Sequence, residues 1–206
     1  MRNARVVLVI VAALAVASGW VSTAAGDVEH YRVQGASAQA IWQHGFTTTI
    51  IDGQSTSVDG TAIFFDRFTP HFDQHGNFTG ATDLTGVLFS RRTLVTVGKK
   101  LSSAQMTASV PVTRCTYNAS GHRTGCTRAG RITVSLTFTG VGPTARGGSN
   151  YHFHYPGETV TGHVSGTQRQ ATVSGAIGGR RVVARDLDQA TIGHLKAGGI
   201  DVCHAC

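Results

Sequence analysis

The chain has 206 residues, and 41% of them are apolar, enough to bury a sizeable core without help from disulfides. Eighteen Lys and Arg against eleven Asp and Glu give a formal charge of +7, which falls to +5 if Arg2 and Arg5 are removed. That balance favours solubility and loose attraction to anionic polymers, and says nothing about fold.

In chain order, the first signal is a segment to be exported and lost. Arg2 and Arg5 precede an unbroken apolar run from Val6 to Ala17, and small residues follow from Ser22 to Gly26 before the first acid at Asp27. A basic head, a short apolar stretch and a small-residue exit form the pattern of a secretory signal peptide. A membrane anchor needs about 20 apolar residues, whereas Ser18 and Gly19 interrupt this run. The sequence therefore predicts a signal peptide over 1–26, cleaved after Ala24, Ala25 or Gly26, and a secreted single domain over 27–206. No later stretch is apolar enough to span a membrane.

Alternation with a period of two dominates the rest of the chain. Strands are predicted at 29–33, 36–42, 46–51, 60–68, 84–89 and 93–97. In 104–112, Ala104, Met106, Ala108, Val110 and Val112 share one face, and Pro111, which cannot donate to a ladder, marks an edge or a bulge. In 131–139, Ile132, Val134, Leu136 and Phe138 face one way while Thr133, Ser135, Thr137 and Thr139 face the other. Further strands are predicted at 159–166, 171–175, 180–185 and 199–203, and one helical turn or two at 186–195. Turn signals at Asp52-Gly53, Asp59-Gly60, Gly76-Asn77, Gly142-Pro143, Gly147-Gly148, Gly178-Gly179 and Gly198-Gly199 separate them. Short strands at this spacing predict one all-β domain, an antiparallel β-sandwich or open barrel.

The order of the 101–112 and 134–143 stretches, Arg146, residues 152–156 and residues 166–176 resembles a group of secreted, β-rich bacterial proteins, many of them actinobacterial. The likeness spans roughly residues 30–180. It implies export and an all-β fold, and brings no activity and no functional residue with it.

Four cysteines in an exported chain are expected to be oxidised, with three pairings open. Cys115 and Cys126 flank a polar loop and suit a staple. Cys203 and Cys206 suit a tight terminal ring or two separate thiols. The tail from Cys203 through His204 to Cys206 could offer soft ligands to zinc, but export favours the disulfide reading.

Three groups could carry function. His152 and His154 fall on the same side of an extended segment, with His163 and Glu158 near enough in sequence to join them, a spacing suited to Zn²⁺ or Cu²⁺. His71, Asp73 and His75 form a second cluster. Arg114, Arg123, Arg128 and Arg131, with His122, occupy a stretch without one acid and suit an anionic cell-wall or extracellular polymer. Tyr117 alone interrupts them as an aromatic, too little for stacking on bases. Hydrolytic signatures are absent from the sequence, with no Gly-x-Ser-x-Gly and no His-Glu-x-x-His, and Glu29 and Glu158 are its two glutamates. The composite expectation is a non-enzymatic binding or envelope-associated module without a cofactor. Metal binding through the histidine strand is the alternative, and a secreted hydrolase stands behind both.

Overall fold

The computed structural model describes residues 28–57, 60–155 and 158–204. The predicted signal peptide and Cys206 lie outside them. Among the described residues, strands β1 (Val28–His44), β2 (Thr47–Thr56), β3 (Gly60–Phe72), β4 (Phe78–Ser90), β5 (Val95–Val97), β6 (Ser103–Asn118), β7 (Arg123–Tyr155), β8 (Glu158–Ile177), β9 (Arg180–Arg181) and β10 (Leu187–His204) form one antiparallel sheet. Pairing runs from β10 through β1, β2, β3, β4, β6 and β7 to β8, and β8 pairs again with β10. The sheet thus bends into a nearly closed ring of long up-and-down strands. The all-β, antiparallel fold read from the alternation is present, as a single curled sheet. No helix among the described residues is long and apolar enough to cross a membrane.

The alternating residues fill the ring. Met106, Val110, Val134, Phe138, Ile51, Ile63, Phe65 and Ile192 are fully buried, and Ala104, Ala108, Val112, Leu136, Ala171 and Val173 join them. At one end the 91–102 loop closes the interior. Leu101 accepts a left-handed φ of 51° there while its side chain is buried in the core. The buried hydroxyls of Ser55 and Thr61, 2.5 Å apart, hold this loop. Ser55 Oγ accepts the Val95 amide, and Thr61 Oγ1 accepts the Leu94 amide while donating to the Arg92 carbonyl. A buried donor left without a partner is costly, so these bonds fix the plug in one position.

Several turn signals lie inside strands. Gly142 and Pro143 sit where the β7–β8 register shifts between Val141 and Thr144, a bulge that tolerates the missing proline N–H. Pro111 lies at a similar shift, as expected. Asp52 and Gly53 lie within β2, where a Cβ on Gly53 would come 2.5 Å from Met106 Cε and 2.8 Å from Val95 Cγ2. The glycine is there for close packing rather than for a turn. Gly147 and Gly148 continue β7, and Gly198 and Gly199 continue β10. The predicted helical stretch at 186–195 is corrected likewise. A 3-10 turn covers Ala184–Asp186, and β10 follows at once, burying Ala190 and Ile192 on its inner face.

The polar loop around Cys115 and Cys126 is a hairpin. β6 and β7 run on to a turn at 119–122, with β6 still paired to β4 over 113–118, and Cys115 and Cys126 sit opposite each other as a cross-strand disulfide with Cα atoms 4.1 Å apart. The bond closes a short loop, a constraint worth about 2–3 kcal/mol. Replacing both cysteines by alanine is expected to lower unfolding stability by that amount and to speed amide exchange most at 113–128. Unchanged exchange in that segment would show the staple to be redundant.

Candidate functional site

The turns at 45–46, 73–77, 119–122 and 178–179 all gather at one end of the ring, because the strands alternate in direction. The stapled hairpin stands at this end, its β6 arm paired to β4 and its β7 arm an open edge before Val134. Its rungs pair Pro111 with Arg131, Thr113 with Arg128, Cys115 with Cys126 and Tyr117 with Arg123. Directly opposite residues share a face, so Arg123, Arg128 and Arg131 line one face of the hairpin with the disulfide among them. Arg114 pairs with Thr127 and points to the other face. All four arginines are exposed. Arg131 is oriented by Ser109, donating from Nε to its Oγ at 2.9 Å and from Nη2 to its carbonyl.

Further cations, far from the hairpin in sequence, stand at the same end. Arg180 and Arg181 form β9, and Arg185 lies in the 3-10 turn. Arg67 reaches into the ring mouth, with Nε bonded to Thr49 Oγ1 at 3.2 Å and its guanidinium 5.5 Å from the centre of the Phe65 ring. Burial, and after it the neighbouring Arg180, lowers its pKa from the ordinary arginine value. The ion pairs among the described residues involve Asp186, with His44 at 2.9 Å and Arg185 at 3.7 Å, and Asp201, with His30 at 2.6 Å. Arg114, Arg123, Arg128, Arg131, Arg180 and Arg181 have no carboxylate partner among the described residues. Beside them Phe46, Phe72 and Phe78 cluster, with ring centres 4.8 and 6.1 Å apart. They come from two separate turns, which linear spacing does not join.

The histidine strand lies toward the opposite end. His152 is opposite Thr161, and Asn150 is opposite His163, so His152 and His163 share one face of the β7–β8 hairpin. Both are exposed. The Nδ1–H of His163 donates to Asn150 Oδ1 at 2.7 Å. The same cross-strand row continues from His152 through Thr161 to Asp201 and His30. The side chains of His154 and Glu158 lie outside the described structure, as does that of His204. Among the described residues no three His, Cys, Asp or Glu side chains gather closely enough to hold a metal. His71 Nε2 bonds to Thr82 Oγ1 at 2.9 Å. Asp73 closes the β3–β4 turn by accepting the amides of His75 and Asn77 and the Asn77 side chain. Those bonds, the Asn77 side chain first, hold its carboxyl below the ordinary range. This second cluster is thereby accounted for by turn closure.

A carboxyl pair emerges that linear reading could not see. Asp66 is opposite Thr85 and Asp83 opposite Phe68, which makes the two aspartates diagonal neighbours on the outer face of β3 and β4. Burial raises the Asp66 pKa to about 6, with hydrogen bonding to Asp83 and repulsion from it adding to the effect against a Thr85 hydrogen bond. Asp83 Oδ1 is buried with no hydrogen-bond partner among the described residues. Between about pH 4 and 6 the folded chain therefore holds a proton that the unfolded chain has lost, so stability falls as pH rises through that window. Above it the cost is complete. Water over the exposed part of the pair screens the repulsion, leaving about 1–2 kcal/mol. Asp66→Asn is expected to be that much more stable than the parent at pH 7.5 and to lose the advantage below pH 4. Urea unfolding at the two pH values checks it, and a constant difference would refute the linkage.

Against known proteins the chain matches no family model, no curated protein and no solved structure, so its own geometry carries the functional reading.

Proposed function

We propose that this is an exported, non-enzymatic binding protein that holds an anionic cell-wall or extracellular polysaccharide against its arginine-bearing end. The observation that carries this reading is the stapled hairpin, which fixes Arg123, Arg128 and Arg131 on one face, none of them in an ion pair among the described residues and the nearest carboxyl in register, Asp83, two strands away. Surface cations outside any ion pair on a stiff support lose little conformational freedom when a polyanion arrives, and their field raises the encounter rate. The guanidinium fork binds carboxylate, sulfate or phosphate oxygens in pairs.

Titrating the chain with dextran sulfate and with uncharged dextran tests the reading. Binding to the sulfated polymer should weaken steeply between low and physiological salt, and uncharged dextran should not compete at this end. Equal binding to the two dextrans would reject it. A preference for duplex DNA over the polysaccharide at matched salt would transfer the site to a nucleic acid.

A further inference from the structure

The outer face of β2, β1, β10, β8 and β7 is hollowed into a groove of about 330 Å³, away from the arginine hairpin. Its floor is made of small residues brought together by register. Gly35, Leu195, Gly166 and Gly147 form one cross-strand row, and Ser37 and Gly193 occupy the next. A Cβ added to Gly193 would stand 2.8 Å from Ser37 Oγ, so the floor is as low there as a strand allows. Around this floor stand the carboxamides of Gln39, Gln54, Gln168 and Gln189, together with the Asp52 carboxyl and the hydroxyl-bearing Thr191, which is 5% exposed. The side chains of Gln39, Gln168 and Gln189 make no hydrogen bond to another described residue, whereas Gln54 bonds to Asp52. Burial pushes the Asp52 carboxyl up despite that bond.

The rows do not stop at the groove. Asp52 is opposite Phe64, and Gln54 is followed across the sheet by Ala62 and Phe89. Phe64 and Phe89 are 39% and 64% exposed on the same outer face. Amides that can both donate and accept therefore give way, along two adjacent rows across the strands, to two bare phenyl rings.

We infer that this groove and its phenyl extension bind a neutral oligosaccharide laid across the strands. Each carboxamide offers a donor and an acceptor, matching the paired donor and acceptor character of neighbouring sugar hydroxyls. The glycines, Ala145, Val164 and Leu195 present C–H surface to a sugar ring, and the exposed phenyl rings give further units an apolar platform. Uncharged carboxamides and hydroxyls supply most of the polar groups there, which favours a ligand without net charge. An extended peptide gains affinity by adding to a free strand edge. Over most of the groove β2, β1, β10 and β8 are paired on both sides, and the open edge is that of β7 from Thr144 on, so a peptide could add only at the groove's margin and not along its floor.

Calorimetric titration with cellotetraose, chitotetraose and maltotetraose, backed by amide chemical shifts, tests the inference. At least one should bind with a Kd on the order of 0.1 mM, unaffected by about 0.5 M NaCl. Gln54→Ala and Phe89→Ala should each weaken that binding about tenfold, the loss of one good hydrogen bond or stacking contact. Removing the hairpin arginines should leave it unchanged, so the two sites can fail separately. No saturable binding up to about 10 mM, or binding that both variants retain, would overturn it. Shifts confined to the hairpin would do the same.

Discussion

The triple variant Arg123→Ala/Arg128→Ala/Arg131→Ala is expected to bind dextran sulfate about 100-fold more weakly than the parent at low salt. Each cation close to a dense anionic surface is worth about 1 kcal/mol, and about 1.4 kcal/mol is a factor of ten, so three give roughly two decades. The salt dependence should flatten together with the affinity. Every cation that contacts the polymer releases about one counterion, so the slope of log K against log salt should fall by about 2–3. Folding stability should hold to within about 0.5 kcal/mol, because the three side chains are exposed and unpaired with carboxylates. Arg180→Ala/Arg181→Ala is the instructive comparison. Those residues share the end of the ring but not the stapled face. If they account for the loss and the hairpin triple does not, the polymer lies across the ring mouth instead. A triple variant within threefold of the parent at unchanged slope would remove the hairpin from the site altogether.

Strands with clean alternation were legible because their chemistry is local. Ile132 to Phe138 and Ala104 to Val112 announce which face is buried, and the ring buries those faces. Glycine was the misleading residue. Gly53 and Gly147 read as turns in one dimension, yet they serve close packing or a groove floor that no linear window contains. The 186–195 stretch misled for a related reason. Its inward residues Ala190 and Ile192 alternate with Thr191 and Gly193, which are buried too, so little apolar contrast remains to betray a period of two. Sites were less legible than strands. The arginine hairpin was visible because its members lie close along the chain. Joining Arg180, Arg181 and Arg185 to it required knowing that the β8–β9 turn ends on the same side. Asp66 and Asp83 become neighbours, and Gln54 and Gln168 come to share one cross-strand row, through strand register alone. Register is set by the buried faces and bulges of every strand together, which a single segment cannot reveal.

Phe65→Ala is expected to cost about 3–5 kcal/mol of unfolding stability, the usual range for truncating a fully buried phenylalanine. Its side chain is completely enclosed at the middle of β3. Neighbouring backbone leaves little freedom to collapse into the cavity. Phe65 faces Gly86 on β4, where a Cβ would come 2.1 Å from the Pro111 carbonyl oxygen and 3.0 Å from Val112 Cγ1. On the other side it faces Ile51, itself fully buried. β4 and β6 are thus already at their closest approach beside the ring, and the cavity stays open. Arg67 would lose the ring beneath its guanidinium as well. Since domains of this kind carry about 5–15 kcal/mol in total, the alanine variant can sit near its unfolding threshold. Phe65→Leu, expected to cost about 1–2 kcal/mol, keeps the measurement on scale. Phe89→Ala, on the exposed face of the neighbouring strand, should cost no more than about 0.5 kcal/mol. Urea unfolding of the three separates the cases. A large loss at Phe65 with none at Phe89 assigns these two phenylalanines to opposite faces, one holding the ring together and the other open to a ligand. Comparable losses would mean that the outer phenyl rings are structural, and the oligosaccharide platform would lose its footing with them.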